Sequence, residues 1–258
     1  MKNRTVLVVG GSTGINLSIA QAFNRAGDRV CIVSRSAEKI AAGLELLDQA
    51  SGEVMGLQAD VRHFDQVSHA VEKTYERWGD IDVLISGAAG NFISPAETLS
   101  ANGFKTIVDI DLNGCFNVMR ACFPRLRKPG SSIINITAPH ATEPTINQIH
   151  VCAAKAGINQ VTKTAAMEWG RHGIRVNAIS PGPIQGTEGM SRLSPTTASD
   201  TRWLDSIPLG RWGNPADIAD AAQWLSSCSA SFVTGVVLPV DGGWTLGGSA
   251  AMTSAMNA

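Results

Sequence analysis

The sequence contains a single tyrosine, Tyr75, and aromatic residues make up only 5% of its 258 positions. Charged residues are also scarce, at 17%, and the net charge of −1 gives no electrostatic basis for binding nucleic acid. No apolar run approaches the roughly 18 to 20 residues that span a bilayer. Neither nucleic acid nor a membrane is therefore a predicted partner. The 44% of hydrophobic residues is ample material for a large buried core.

Motifs for disulfides and for metal binding are also missing. The five cysteines, at positions 31, 115, 122, 152 and 228, form no CxxC pair, and the five histidines show neither HxxxH nor HExxH spacing. We predict reduced, mostly buried thiols and no metal site.

Neither end of the chain matches a targeting signal. The first residues, MKNRTVLVVGG, end in glycines with no cleavage site and predict a first strand, not a secretory signal. The last residues, SAMNA, match no peroxisomal or retention address. The expected location is a bacterial-type cytoplasm.

Short apolar, β-branched runs alternate with segments of helical periodicity. The runs are 5–9, 29–34, 53–58, 82–86, 131–137, 174–180 and 233–240, and the clearest helical segments are 15–26, 65–78 and 148–169. Continuous apolar runs are typical of strands buried on both faces, and strand–helix alternation implies parallel pairing with right-handed crossovers. The sequence predicts one α/β domain over 1–258, a doubly wound, Rossmann-like, seven-stranded parallel sheet with helices on both faces.

One long stretch, 181–207, is irregular and rich in Pro, Gly, Ser and Thr. Long loops in compact domains are often functional, so we expect a substrate lid around 183–207. Within it Met190, Leu193 and Trp203 either line an acyl tunnel or pack the lid. Ligands in such a sheet bind beyond the carboxyl ends of the strands, which directs attention to the loops that follow them.

The first strand runs directly into Gly10-Gly11-Ser12-Thr13-Gly14-Ile15-Asn16 and then a helix. Glycines allow main chain to approach a pyrophosphate, which sits on the helix N-terminus. A glycine-rich turn alone is also compatible with a simple tight connection. The strand before it, the helix after it and the βα repetition favour dinucleotide binding.

The second strand ends at Ser34-Arg35-Ser36, where a site for NAD usually has an acid that holds the ribose 2′-hydroxyl. No acid is present here. A guanidinium matches a 2′-phosphate in charge and geometry, so Arg35 predicts NADP(H). The alternative is a solvated arginine at the start of a helix.

These pieces resemble the short-chain dehydrogenase/reductase family over nearly the whole chain. The glycine-rich turn is similar to TGxxxGxG, segment 86–90 stands where NNAG is usual, and 181–182 and 240–243 match PG and VDGG. Asn16, in place of the last glycine, and Ser86-Gly87 depart from the pattern. The resemblance implies contacts with NADP(H) from Gly10, Ser12, Thr13, Gly14, Ile15, Ser34, Arg35, Ser36, Asp60, Val61, Ala88, Ala89, Gly90, Lys155, Pro181, Gly182 and Ile184.

The catalytic set departs more sharply. Family members that reduce ketones use Asn, Ser, Tyr and Lys, and these places are taken here by Asp111, Ala138, Val151 and Lys155. Reduction of a ketone requires a proton at oxygen, which the family tyrosine supplies. Ordinary ketone reduction is therefore not predicted.

One subgroup with the same pattern is the 2,4-dienoyl-CoA reductases, particularly the peroxisomal type. The similar segments are 89–95 (AGNFISP), 109–111 (DID), 135–138 (NITA), 148–150 (QIH) and 181–189 (PGPIQGTEG). The mitochondrial type carries a displaced tyrosine just after the fifth strand, where His140 and its neighbours offer none. The resemblance implies NADPH-dependent reduction of a 2,4-dienoyl-CoA, and a homotetramer built through the long helices 101–127 and 148–170.

In a 2,4-dienoyl thioester the hydride goes to the δ carbon and charge accumulates on the thioester oxygen, so the enzyme needs donors for that oxygen and a later proton at carbon. We assign three catalytic residues by hypothesis: Asn91 donates to the oxygen, Lys155 binds the nicotinamide ribose, and Asp111 holds a protonating water. Asn91 is also compatible with a turn role and Asp111 with a cap or ion pair.

Four residues are predicted to bind the substrate, namely Asn91, Phe92, His150 and Met190. His150 either contacts the thioester or is a buried core histidine. Two other functions stay open at this point: action on another conjugated carbonyl compound, and a catalytically silent NADP-binding protein.

Overall fold

The structure, a computed structural model, describes residues 3–47, 51–187 and 197–247. Seven parallel strands form one sheet in the order β3-β2-β1-β4-β5-β6-β7. The strands are β1 (Thr5–Val9), β2 (Arg29–Ser34), β3 (Val54–Gln58), β4 (Val83–Ser86), β5 (Ser132–Ile136), β6 (Arg175–Pro181) and β7 (Val237–Val240). The predicted doubly wound sheet is confirmed.

Eight α-helices are described among these strands. They are α1 (Gly14–Arg25), α2 (Ala37–Glu45), α3 (Phe64–Trp78), α4 (Ala101–Ile107), α5 (Gly114–Cys122), α6 (Ile149–Trp169), α7 (Thr197–Asp205) and α8 (Pro215–Leu225). The three helices predicted from periodicity, α1, α3 and α6, begin and end within one residue of the expected bounds. No helix in the described ranges combines the length and the apolar character needed to cross a membrane.

The core has two layers because successive strand residues point to opposite faces of the sheet. Leu7 and Val9 pack with α3, α5 and α6, while Val6 and Val8 pack with α1 and α8. All four side chains are buried, which explains the uninterrupted apolar runs of the sequence.

The sheet changes direction between β1 and β4, since β2 and β3 lie to one side of β1 and β4 lies to the other. Such a switch point opens a crevice beyond the carboxyl ends of the two strands. The turn after β1 approaches the segment after β4 so closely that a Cβ on Gly10 would lie 2.8 Å from the Ala88 backbone nitrogen. Gly10 also has a φ of +82°, so both space and conformation require glycine.

The predicted long helix over 101–127 is interrupted. A π-helical turn, Val108–Asn113, separates α4 from α5, and a 3-10 turn, Phe123–Arg125, follows α5. Extra residues of this kind redirect side chains and are common at functional sites. Asp111 lies inside the π-helical turn and is fully buried.

The predicted irregular stretch 181–207 contains more regular structure than expected. It begins with the end of β6 and ends in α7. The helix α7 begins with Thr-Ala-Ser-Asp (197–200), and this sequence does not predict a helix, because Thr, Ser and Asp favour caps and turns.

Candidate active site

A cavity of about 540 Å³ lies beyond the carboxyl ends of β1, β4, β5 and β6. Ten of the predicted cofactor-binding residues line it: Thr13, Gly14, Ile15, Arg35, Ala89, Gly90, Lys155, Pro181, Gly182 and Ile184. The structure thus brings residues from the whole length of the chain to the one crevice that the switch point creates.

The N-terminus of α1 forms one end of this cavity. Gly14 begins the helix with a φ of +58°, and the Thr13 side chain at the N-cap makes no capping hydrogen bond. Helix N-terminal N–H groups that side chains do not cap are suited to bind phosphate. Ser12 is buried within the same turn.

Asn16 in α1 explains both departures at the switch point. Its Nδ2 donates a hydrogen bond to the Gly87 carbonyl oxygen over 2.8 Å. A Cβ at position 87 would lie 2.3 Å from Asn16 Oδ1, so the bulk at 16 is possible because 87 is glycine. The two positions that differ from the family pattern are complementary in shape.

The segment after β2 carries two cationic side chains into the cavity wall, Arg35 and Lys39. Ser36 is the N-cap of α2, its Oγ accepting from the Lys39 N–H at 3.2 Å, and Gln58 Nε2 donates to the Arg35 carbonyl at 2.8 Å. Lys39 was missed by the sequence analysis. Lys39 could have been found from its spacing, because a residue four positions after Arg35, in the first turn of a helix, is close to Arg35 in space.

A second, open pocket next to Arg35 is lined by Gln58, Asp60 and His63, among others. Asp60 forms an ion pair with Arg62 at 2.6 Å, and hydrogen bonds from Arg62 lower the pKa of Asp60 to about 2. Val61 is buried, and its carbonyl oxygen accepts from Asn117 Nδ2 at 2.9 Å. Asp60 and Val61, both predicted to contact NADP(H), are therefore held in place after the end of β3.

Lys155 of α6 is held by buried partners. Its Nζ lies 3.1 Å from Asp111 Oδ2 and 3.4 Å from the Ile136 carbonyl oxygen. The two side chains are only 7% and 0% exposed. Asp111 Oδ1 accepts from the Gly90 N–H at 2.7 Å, so one carboxylate holds both the lysine and the loop after β4.

The wall beside Lys155 is apolar where ketone-reducing relatives carry hydroxyl groups. Ala138 and Val151 both line the cavity, and Val151 packs against Ile107 and Ala154. No tyrosine is near, since Tyr75 lies in α3 with Arg125 over its ring. Positions 138 and 151 thus carry no hydroxyl, and the Thr137 hydroxyl, which lines the same cavity, donates to the Lys155 carbonyl oxygen at 3.4 Å.

Asn91 lines the cavity immediately after Gly90. The next residue, Phe92, is fixed by His150, whose Nε2 lies 3.1 Å from the Phe92 carbonyl oxygen and whose ring centroid is 4.4 Å from that of Phe92. His150 is fully buried, and burial lowers its pKa more than the Phe92 carbonyl and Asp111 raise it. In this conformation His150 holds the Asn91–Phe92 segment; its contact with substrate stays a prediction.

Three tryptophan rings lie close together, and two of them line the cavity. Trp203 and Trp244 line it with ring centroids 5.5 Å apart, and Trp212 lies 6.5 Å from Trp203. Trp203 therefore meets both alternatives considered from the sequence: it lines the cavity, and its ring packs α7 against the neighbouring tryptophans. Met190 and Leu193 lie outside the described residues, as does part of the predicted lid.

Gly182 and Asp241 connect the cavity floor to the C-terminal VDGG segment. A Cβ on Gly182 would lie 2.5 Å from the Asp241 Cα. Asp241 accepts hydrogen bonds from Gly243 and Thr245 N–H and from the Thr245 hydroxyl. Burial alone would raise the pKa of Asp241, but these donors outweigh it and lower the pKa. Among the described residues no cluster of histidine, cysteine, aspartate or glutamate is placed to hold a metal ion.

Comparison with known proteins agrees with this geometry. A solved structure of a short chain dehydrogenase from Bacillus anthracis superposes with a TM-score of 0.84 at 39% identity, covering 93% of this chain and 96% of that one. A family model described as enoyl-(acyl carrier protein) reductase matches residues 9–245. The chain belongs to the short-chain dehydrogenase/reductase family. The resemblance inferred from the motifs is confirmed.

Two relatives within the short-chain dehydrogenase/reductase family carry more specific names. The peroxisomal 2,4-dienoyl-CoA reductase [(3E)-enoyl-CoA-producing] of Rattus norvegicus is 42% identical over 246 residues, 94% of this chain and 84% of the relative. The probable 2,4-dienoyl-CoA reductase [(2E)-enoyl-CoA-producing] of Bacillus subtilis is 37% identical over 246 residues, 94% of this chain and 97% of the relative. Membership in this family implies an oxidoreductase with a nicotinamide cofactor.

Proposed function

We propose that the protein is an NADPH-dependent reductase of a 2,4-dienoyl-CoA or a closely similar conjugated enoyl thioester. The observation that carries the proposal is the apolar wall formed by Ala138 and Val151 beside the buried Lys155–Asp111 pair. A ketone reductase needs a hydroxyl donor there, whereas a dienoyl thioester takes its proton later, at carbon. The names of the rat and Bacillus subtilis relatives support the same substrate class.

The residues present fit a dinucleotide that carries a 2′-phosphate. Positive-φ glycines and the N-terminus of α1 suit the pyrophosphate, and Arg35 and Lys39 supply two cations where an acid would be expected for NAD. When bound, the cofactor supplies a hydride for the δ carbon of the substrate. Lys155 is the residue proposed to bind the nicotinamide ribose.

Residues of the chain then stabilise the dienolate that hydride transfer would produce, and position the water that protonates it. Asn91 donates its amide N–H to the thioester oxygen, and the positive charge of Lys155 favours the developing negative charge. Apart from its ion pair with Lys155, Asp111 Oδ2 has no hydrogen-bond partner among the described residues, so it is the acceptor proposed to hold a water. That water protonates the α carbon to give a 3-enoyl-CoA, and solvent replaces the proton.

The test of the reaction is consumption of NADPH, followed at 340 nm, with a short 2,4-dienoyl-CoA. We expect turnover and a product whose double bond, located by NMR, lies at position 3. A 2-enoyl product would leave the reductase proposal standing and overturn the assignment of protonation to the α carbon. Tight NADPH binding without turnover of any conjugated thioester would instead indicate a silent binding protein.

The cofactor assignment has its own test in the Arg35→Asp variant. The substitution removes a cation from the proposed 2′-phosphate site and adds a repulsive carboxylate. We expect the Kd for NADPH to rise at least about 100-fold while the Kd for NADH changes little, measured by quenching of tryptophan fluorescence. Equal changes for the two cofactors would remove Arg35 from the site. Arg171→Asp, on a remote exposed turn, is the control for charge reversal.

We also propose a homotetramer assembled through α4, α5 and α6. Large apolar side chains on these helices are exposed in the single chain: Phe104, Phe116, Ile149 and Met167, the last 83% exposed. Exposed apolar side chains along one set of helices are typical of an interface. Light scattering should give four times the chain mass, and a monomeric mass would overturn the proposal.

A further inference from the structure

His140 has so far been given no role. It lies in the short 3-10 turn Pro139–Ala141 that follows β5, and it lines the same cavity as Lys155 and Asn91. The proline at the start of the turn has a fixed φ, so the direction in which the chain leaves β5 is restricted. The imidazole is therefore a defined part of the cavity wall.

The ring carries two polar atoms that nothing in the described structure satisfies. Both Nδ1 and Nε2 are buried, and neither has a hydrogen-bond partner among the described residues. A neutral imidazole offers one N–H donor and one acceptor, and leaving them unpaired inside a protein is costly. Buried polar atoms are almost always paired in native proteins, so an orphaned pair beside a cavity indicates a bound partner.

The chemistry of the ring follows from its surroundings. Burial, and then the positive charge of Lys155, lower the pKa of His140 below its usual value. The ring is therefore neutral at pH 7, with an N–H to donate and little tendency to act as an acid. A neutral donor recognises an acceptor such as a carbonyl or enolate oxygen, and it does not add a second positive charge next to Lys155.

We propose that His140 is a substrate-contacting residue whose ring N–H donates to the thioester oxygen, so that His140 and Asn91 form a two-donor oxyanion site. The inference rests on the proposed function and names the second donor of that site. Of the neighbouring wall residues, Ala138 and Val151 are apolar, and the Thr137 hydroxyl already donates to the Lys155 carbonyl oxygen at 3.4 Å. Lys155 is already engaged by Asp111 and by the Ile136 carbonyl.

The hydrogen bonding of His140 can be compared with that of His150, the other histidine near the site. His150 is fully buried near the site, but its Nε2 is bonded to the Phe92 carbonyl and its ring packs against the Phe92 ring, leaving only Nδ1 without a partner among the described residues. His150 is thus a positioning residue, whereas neither ring nitrogen of His140 has a partner in the part of the chain that the structure describes. Of the two, only His140 has its full hydrogen-bonding capacity left for a ligand.

The kinetic test compares His140→Leu, which removes the donor, with His140→Gln, which keeps an N–H. We expect His140→Leu to bind NADPH with unchanged Kd but to lose about 100-fold in kcat with the dienoyl thioester, as for removal of an oxyanion donor. His140→Gln should recover a large part of the loss. The control is His172→Leu, an exposed histidine in the turn Gly170–His172. Full activity of a folded His140→Leu protein overturns the inference.

A binding measurement separates failure of this inference from failure of the proposed function. The wild-type protein, labelled with ¹⁵N at histidine and saturated with NADP⁺, is titrated with a saturated acyl-CoA that cannot react. We expect the His140 ring nitrogens, assigned by their loss in His140→Gln, to shift on thioester binding. If wild type fails to reduce dienoyl-CoA but this shift occurs, the contact holds and the reaction assignment fails. An unshifted His140 signal in a protein that binds the thioester overturns the contact.

Discussion

The buried Lys155–Asp111 pair is the central feature at the scale of single residues. Asp111 is fully buried and binds both the Lys155 ammonium and the Gly90 N–H, so it fixes a charged group and a loop at once. The sequence identified both residues as candidates but could not show that they are partners 44 positions apart. Their proximity depends on how α6 packs against the π-helical turn.

The first residue-scale prediction concerns removal of one member of this pair. Asp111→Ala leaves a buried, uncompensated ammonium, and we expect the free energy of unfolding to fall by about 3 to 5 kcal/mol. The double variant Asp111→Leu, Lys155→Met should recover most of this stability while remaining inactive, because two apolar side chains replace two charges. Urea unfolding followed by tryptophan fluorescence measures both. An Asp111→Ala protein as stable as wild type would show that the ion pair has no structural role.

At the scale of elements, the contact between α1 and the end of β4 defines the nucleotide crevice. Asn16 fills the space that Gly87 leaves and donates to its carbonyl. Sequence comparison with the family pattern marked the two positions as separate departures. The structure shows that they form one complementary pair, because a Cβ on Gly87 would lie only 2.3 to 2.6 Å from the Asn16 amide atoms.

This complementarity predicts a strong coupling between the two positions. Gly87→Ala should destabilise the protein by about 1 to 3 kcal/mol, because the new methyl group overlaps the Asn16 amide. Adding Asn16→Gly should restore stability, so the double variant should be more stable than Gly87→Ala alone. A double-mutant cycle by thermal unfolding measures the coupling energy. Additive effects of the two substitutions would contradict the proposed fit.

The π-helical turn shows why a helix can be predicted correctly while its internal geometry is not. The family resemblance implies a long helix over 101–127, and the chain is helical from Ala101 to Arg125, but one wider turn at Val108–Asn113 separates α4 from α5 and contains the buried Asp111. Hydrophobic patterning reports an average period and is insensitive to a single widened turn. The position of the turn also depends on α6, because Gly157 of that helix packs against Leu112. A Cβ on Gly157 would lie 2.7 Å from the leucine side chain.

At the scale of the whole molecule, the fully buried His150 and the partly buried His140 make stability depend on pH. Burial is the largest cause that lowers the pKa of both His140 and His150. An unfolded histidine titrates near 6.5, so as pH falls through about 6.5 the unfolded state takes up protons before the folded state does. Proton uptake by the unfolded state lowers the free energy of unfolding, and above that pH neither ring contributes.

We therefore expect the Tm to be nearly constant from pH 8 to pH 7 and to decline from pH 6.5 to pH 5. His140→Leu should show a shallower decline than wild type, because one of the two rings no longer titrates. Calorimetry across this range measures the difference, with the exposed His172→Leu as the control. A variant whose Tm falls as steeply as that of wild type would contradict the assignment of the effect to His140.

Local features of the sequence are sufficient to predict the seven-stranded parallel sheet, which the structure confirms, and to name candidate residues for the site. Continuous apolar strands, glycines at the first turn and the replacements at 111, 138 and 151 are local features, and each can be interpreted from its own short segment. Three relations become visible only in the folded chain: Asp111 holds Lys155, Asn16 fits Gly87, and both buried nitrogens of His140 lack partners among the described residues. These relations join residues from different elements, and the distances between such residues follow from packing and not from spacing along the chain.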